Sequence, residues 1–180
     1  MSELSTHAGT YALDSSHSSV GFVARHAMIT KVRGNFSDVS STFTIAPEVS
    51  DSTAEVSINV ASVDTRSKDR DAHLASADFF DAENFPTINF TTTSVKESAD
   101  GVELTGDLKI KDVTASVTIP FEFTGAATDP FGNQRIGFEG EVVVNRKDFG
   151  LTWNAALEAG GVLVSDKVTL VFDISAIKQQ

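Results

Sequence analysis

Three histidines and two aspartates are the side chains best suited to acid–base chemistry or metal binding: His17, His26 and His73, with Asp14 and Asp71 nearby in sequence. A neutral imidazole nitrogen ligates zinc, and an imidazole backed by a carboxylate moves protons near neutral pH. Their placement argues against both uses. The histidines fall in different predicted elements, and no pair has the spacing that would set two ligands on one helix face. Their plainer role is to hydrogen-bond loops over the ends of the fold, with His73 tying a short helix down. Asn145-Arg146-Lys147-Asp148 supplies donors and an acceptor that suit either a ligand headgroup or the pinning of residues 145–161. Asp69 and Asp71 read as the solvated first turn of a helix rather than a calcium site. The chain has no cysteine, no G-x-S-x-G elbow, no phosphate-binding glycine loop and no H-E-x-x-H. No catalytic set, metal or cofactor is predicted.

The elements that must position these residues are strands. From Gly101 onward, Val102, Leu104, Leu108 and Ile110 alternate with Glu103, Thr105, Asp107 and Lys109. Past a connection at Asp112, Val117, Ile119, Phe121 and Phe123 resume the pattern. Period-two alternation puts one set on each face, so this is an antiparallel pair with one apolar face. The same pattern recurs at Val20, Phe22 and Ala24, at Val32, Gly34 and Phe36, and at Val39, Ser41, Phe43 and Ile45. It returns at Val56 and Ile58, at Ile88 and Phe90, at Ile136, Phe138, Gly140 and Val142, and at Val168, Leu170, Phe172 and Ile174. Residues 67–85 break it. There Ser67 can cap a helix, and Leu74, Ala77 and Phe80 recur every third residue, which predicts one or two short helices ending before Pro86. Residues 1–9 read as a flexible tail and residues 10–180 as a single domain.

About eight strands with so little helix predict an all-β fold, and an antiparallel barrel rather than a sandwich. Gly34, Gly106 and Gly140 interrupt strands where a closing sheet must bend. The interior is rich in phenylalanine: 13 Phe against one Tyr and one Trp, a ring without a polar tip that suits a dry interior. Phe22, Phe36, Phe43, Phe90, Phe121, Phe123, Phe138 and Phe172 are expected to face inward. A packed core accounts for this set. So does a narrow apolar cavity, since Gly34, Ser41, Thr92, Gly106 and Gly140 leave room among the large residues. The formal net charge of −11 argues against nucleic-acid binding and against electrostatic docking onto anionic headgroups. No signal peptide and no transmembrane segment is visible, so a cytoplasmic setting is expected.

Several motifs in order carry a family resemblance. They are Asp14-Ser15-Ser16-His17-Ser18, Phe22 through His26, Val32-Arg33-Gly34-Asn35-Phe36, and Arg70-Asp71-Ala72-His73-Leu74. Asp78-Phe79-Phe80-Asp81, Phe85-Pro86-Thr87-Ile88-Asn89-Phe90 and Asn145-Arg146-Lys147-Asp148-Phe149-Gly150 follow. Over residues 11–174 the chain resembles the YceI-like proteins. The resemblance implies a lipocalin-like barrel, a long isoprenoid or similar lipid inside it, and often a homodimer.

The expected function is therefore non-enzymatic binding of a long apolar lipid, of polyisoprenoid or isoprenoid-quinone type, for carriage, storage or sequestration. Its expected lining is Phe22, Phe36, Phe90, Leu108, Phe121, Phe138, Val142, Leu170 and Phe172, with Trp153 near a mouth. Two other readings stay open: a packed β-domain acting in stress response or partner binding, and a small-molecule enzyme using His17, His26 and His73. Residues 145–161 are the segment expected to move if the cavity opens.

Overall fold

The computed structural model, which describes residues 2–158 and 160–180, gathers the alternating apolar runs and two short additions, Gly9–Leu13 and Val63–Asp64, into one antiparallel sheet of eleven strands among the described residues. Met1 of the expected tail and Ala159 of the segment expected to move lie outside the described residues. The strands are β1 (Gly9–Leu13), β2 (Ser19–His26), β3 (Thr30–Phe36), β4 (Val39–Ile45), β5 (Thr53–Asn59) and β6 (Val63–Asp64). After helix α1 (Lys68–Ala75) come β7 (Thr87–Glu97), β8 (Gly101–Ile110), β9 (Val113–Thr128), β10 (Gln134–Asn145) and β11 (Lys167–Lys178).

Eight of them close a ring in the order β1-β4-β5-β7-β8-β9-β10-β11, and β11 pairs back onto β1. The barrel expected from the sequence is thus present and closed. The other three strands continue members of the ring. The outer edge of β11 is shared: Ala176, Ile177 and Lys178 pair with β1, while Thr169 through Asp173 pair with β2. A 3-10 turn at Ser15–His17, capped by the Asp14 side chain, breaks one strand path into β1 and β2. Ser37 and Asp38 break the next path into β3 and β4.

The ring has two ends. At the upper end lie the start of β1 and the end of β11. At the lower end lie the β2–β3 hairpin, α1 and residues 145–167. Where a flexible tail is expected, Leu4–His7 forms a 3-10 turn and Leu4 is buried. The reason is local: the Tyr11 hydroxyl donates to the His7 carbonyl at 2.7 Å, and Leu4 joins Ile45, Val49 and Val95 in the upper core. A second core, around Ile88, Phe90, Leu108, Ile119 and Phe149, fills the lower half. Between β6 and β7 the sequence yields one α-helix. The Ser67 hydroxyl accepts from the Arg70 amide at 3.3 Å, and Asp69 and Asp71 occupy the positive end of the dipole. Among the described residues, no helix is long and apolar enough to cross a membrane.

Candidate ligand-binding cavity

An apolar cavity of about 280 Å³ runs inside the barrel. That is close to the lower bound for ligand pockets, about 300 Å³. Its wall takes residues from both cores, Leu4, Ile45 and Val102 from the upper and Ile88, Leu108 and Leu151 from the lower, so the space follows the barrel axis. Nearly every wall side chain is a hydrocarbon; Ser41, Thr44, Ser52, Thr53 and Arg146 are the polar ones. Such a space can bind an apolar chain by removing it from water, and it offers little to steer a polar ligand.

Eight of the ten residues expected to line a cavity stand on its wall: Phe22, Phe36, Phe90, Leu108, Phe121, Phe138, Leu170 and Phe172. Val142 packs against the lower core without reaching the wall. Trp153 lies at the lower end, its ring 4.6 Å from His73 and 5.4 Å from Phe79 by centroid, outside the lining. Leu4 from the N-terminal turn, and Leu74, Phe79 and Phe80 from α1 and the turn after it, also reach the wall. Sequence reasoning missed them because they lie outside strand alternation. The Phe79-Phe80 pair just ahead of Pro86 is the one signal that could have marked the lower cover.

The interior glycines act differently from the sequence expectation. Gly34 does not leave a gap: a Cβ there would collide with the Phe22 ring, which belongs to its direct partner across β2 and β3. Phe90 covers Gly106 in the same way, and Phe121 covers Gly140, its partner across β9 and β10. Each ring occupies the space over a residue that has no side chain. A side chain at any of the three positions would push its phenylalanine ring away from that place on the wall.

The polar motifs turn out to be structural ties. Arg146 is 4% exposed and donates through its guanidinium to four backbone carbonyls: Ser165 at 2.8 Å, Leu151 at 2.6 Å, Trp153 at 2.8 Å and Val164 at 3.4 Å. Burial lowers the pKa of this guanidinium, with the nearby Asp166 carboxylate opposing. Asp148 is exposed and forms no part of this hub. Arg70 and Asp71 both converge on Thr65. Asp71 accepts from its amide and hydroxyl at 2.8 and 2.6 Å, and Arg70 donates to its hydroxyl and carbonyl at 2.8 and 2.6 Å.

The histidines stay apart. His73 Nε2 lies 2.9 Å from Asp78 Oδ2 and ties α1 to the following turn. His26 ends β2 and is exposed. His17 Nδ1 is 2.8 Å from Asp14 Oδ2 at the upper end, where Arg135 donates to Asp14 at 2.7 Å and to Asp129 at 2.8 Å. Ser16, Arg135 and His17 together hold the Asp14 carboxyl well below the usual range. Arg135 brings Asp129 down to about 2. Among the described residues, no group of three His, Asp or Glu could hold a metal ion.

Comparison with known proteins agrees with this architecture. The YceI-like domain matches residues 11–176. Protein YceI from Salmonella newport and from Escherichia coli O17:K52:H18 are each 35% identical over 176 residues, covering 96% of this chain and 89% of theirs. Among solved structures, Campylobacter jejuni YCEI superposes with a TM-score of 0.74 at 29% identity, over 87% of this chain and 90% of its own. BcnA from Burkholderia cenocepacia, at 24% identity, shares the fold with a TM-score of 0.79 over 91% of this chain and 98% of its own. A polyisoprenoid binding domain from Saccharophagus degradans, at 15% identity, shares it with a TM-score of 0.72 over 94% and 98%. A closed eight-stranded ring, the motifs set along it and a family match over nearly its whole length lead to one assignment: this chain belongs to the YceI-like family.

Proposed function

We propose that the barrel binds the long hydrocarbon tail of an isoprenoid-type lipid and holds it by burial, without chemistry on it. The observation that carries this reading is the axial cavity with its hydrocarbon wall reaching both cores. The fold it shares with a polyisoprenoid binding domain supports it. His17 stands at the upper end and His26 and His73 at the lower, so the three do not form one acid–base set, which weighs against the enzymatic alternative. Binding of this kind strengthens with chain length, by about 0.8 kcal/mol for each methylene buried.

The test is uptake of a long-chain polyprenol delivered in ethanol, followed by gel filtration, solvent extraction and mass spectrometry of the protein fraction. Bound polyprenol is the expected result, and a Phe138→Arg variant that retains its melting transition should carry none. Phe138 lies within 5.6 to 6.4 Å of the rings of Phe123, Phe43 and Phe121, so a guanidinium there enters a dry aromatic cluster. Protein that stays empty, or a variant that loads equally well, would rule the reading out.

A further inference from the structure

Net charge averages over a surface, and the β2–β3 hairpin at the lower end departs from the average. Residues 15–37 contain Arg25, Lys31 and Arg33 and no Asp or Glu, in a chain of net charge −11. Arg25 pairs directly with Lys31, and Arg33 pairs with Val23. All three therefore share the hairpin face opposite Phe22 and Ala24, which line the cavity. Like charges facing each other across two strands are destabilising. Among the described residues, none of the ion pairs engages these three cations.

The tip of the same hairpin is apolar and exposed: Met28 is 60% and Ile29 77% accessible. Ala27 and Met28 both adopt left-handed backbone conformations, at φ 53 and 64. Gly or Asn suits such positions without strain, so the tip holds apolar side chains where local geometry favours others. The base of the tip joins the cover of the cavity. The Ala27 amide donates to the Leu163 carbonyl at 2.7 Å, and His26 bridges Val164, a wall residue.

From these features we infer that the β2–β3 hairpin docks the lower mouth of the barrel onto an anionic lipid bilayer, with Met28 and Ile29 inserted and Arg25, Lys31 and Arg33 at the headgroups. Stable interfacial binding takes two weak signals together, an apolar insertion and a basic patch, and the hairpin has both. Acidic residues are present at the same end, Asp69 and Asp71 in α1 and Asp78 and Asp81 after it, but none lies on the hairpin itself. Fixed charges are screened over about 8 Å at physiological salt, so the hairpin's own cations dominate the field at its surface. The docking surface would give the proposed cargo a route from membrane to lumen; that role rests on the lipid-binding reading, whereas docking itself can be measured separately.

The experiment is co-sedimentation of the whole protein with vesicles of equimolar phosphatidylcholine and phosphatidylglycerol, and with vesicles of phosphatidylcholine alone. Binding only to the anionic vesicles, weakened by salt, is expected. Lys31→Gln with Arg33→Gln should lower it on the order of twenty-five-fold, at about fivefold per charge. Met28→Ser with Ile29→Ser should lower it about tenfold, and Lys96→Gln at the upper end should leave it unchanged. These positions are exposed and lie off the cavity wall, so all variants should still load polyprenol from ethanol. Failure to bind anionic vesicles at low salt, or equal binding by the hairpin variants, overturns the docking. A hairpin that instead mediates self-association, lost on Met28→Ser, overturns it as well. Vesicle binding by a protein that never loads polyprenol would leave docking standing and remove the lipid-binding reading.

Discussion

At the upper end the wall is a continuous ladder from β1 round to β11, Leu4 and Val49 close the core, and Arg135 clamps Asp14 and Asp129 at the rim. At the lower end, β2 and β3 leave the ring. The outer edge of β3 is paired only at Asn35 and Phe36, and α1, Phe79 and residues 145–164 cover what the strands do not. The upper closure is distributed over many backbone hydrogen bonds and one rim ion pair network. The lower closure gathers residues 146–165 on one buried guanidinium, with smaller ties at Thr65, Asn154 and the Ala27 amide. For the proposed uptake of a long chain, this difference would let the lower end open while the upper end stays sealed.

The largest effect should come from that hub. Arg146→Leu strips donors from four carbonyls and should destabilise the protein by about 3–5 kcal/mol; Arg146→Lys should recover little, since an ammonium cannot fork among them. Urea denaturation measures the loss, and hydrogen exchange should show residues 145–167 exposed first. At the upper end, Leu4→Ala should cost about 2 kcal/mol, the low end of the range for buried leucine, because a chain terminus relaxes into the space. If Leu4→Ala proves the more damaging, the contrast between the ends is wrong.

Between the ends, Gly34→Ala drives the Phe22 ring off the wall and into the lumen. It should cost about 1–3 kcal/mol and reduce polyprenol uptake, whereas a protein with spare space over Gly34 would load normally. The smallest effect is acid sensitivity at the upper rim. The Asp129 carboxyl is held at about 2 in the folded state, below its ordinary value near 3.8. Its stabilising contribution is therefore complete above pH 3.8 and is lost as pH falls toward 2. Asp129→Asn should flatten the decline in stability across that window; an unchanged pH curve would show that the clamp contributes nothing to closure.

Much of this was legible in alternation alone. Phe22, Phe36, Phe90 and Phe138 all fall on inward positions, and Ser67 capped the helix its spacing foretold. What escaped depends on register or on long-range contact. That Phe22 faces Gly34 follows only once β2 and β3 are aligned, so the glycine reads in sequence as a gap rather than a bed for a ring. Leu4 is one apolar residue in a polar stretch, and nothing local says it is buried. The Arg146 motif left open a headgroup site or a pin, and only the positions of four carbonyls distinguish them. Net charge hid the hairpin because an integral over the surface carries no position.

The most direct test of the proposal that this barrel holds a chain is electron density along its axis, in crystals grown after loading with a long-chain polyprenol. A continuous ribbon of density running from beside Leu4, past Phe43 and Phe138, to Leu151 is the predicted result. Side chains of the protein meeting across that axis, with the polyprenol absent or bound outside the wall, would contradict it.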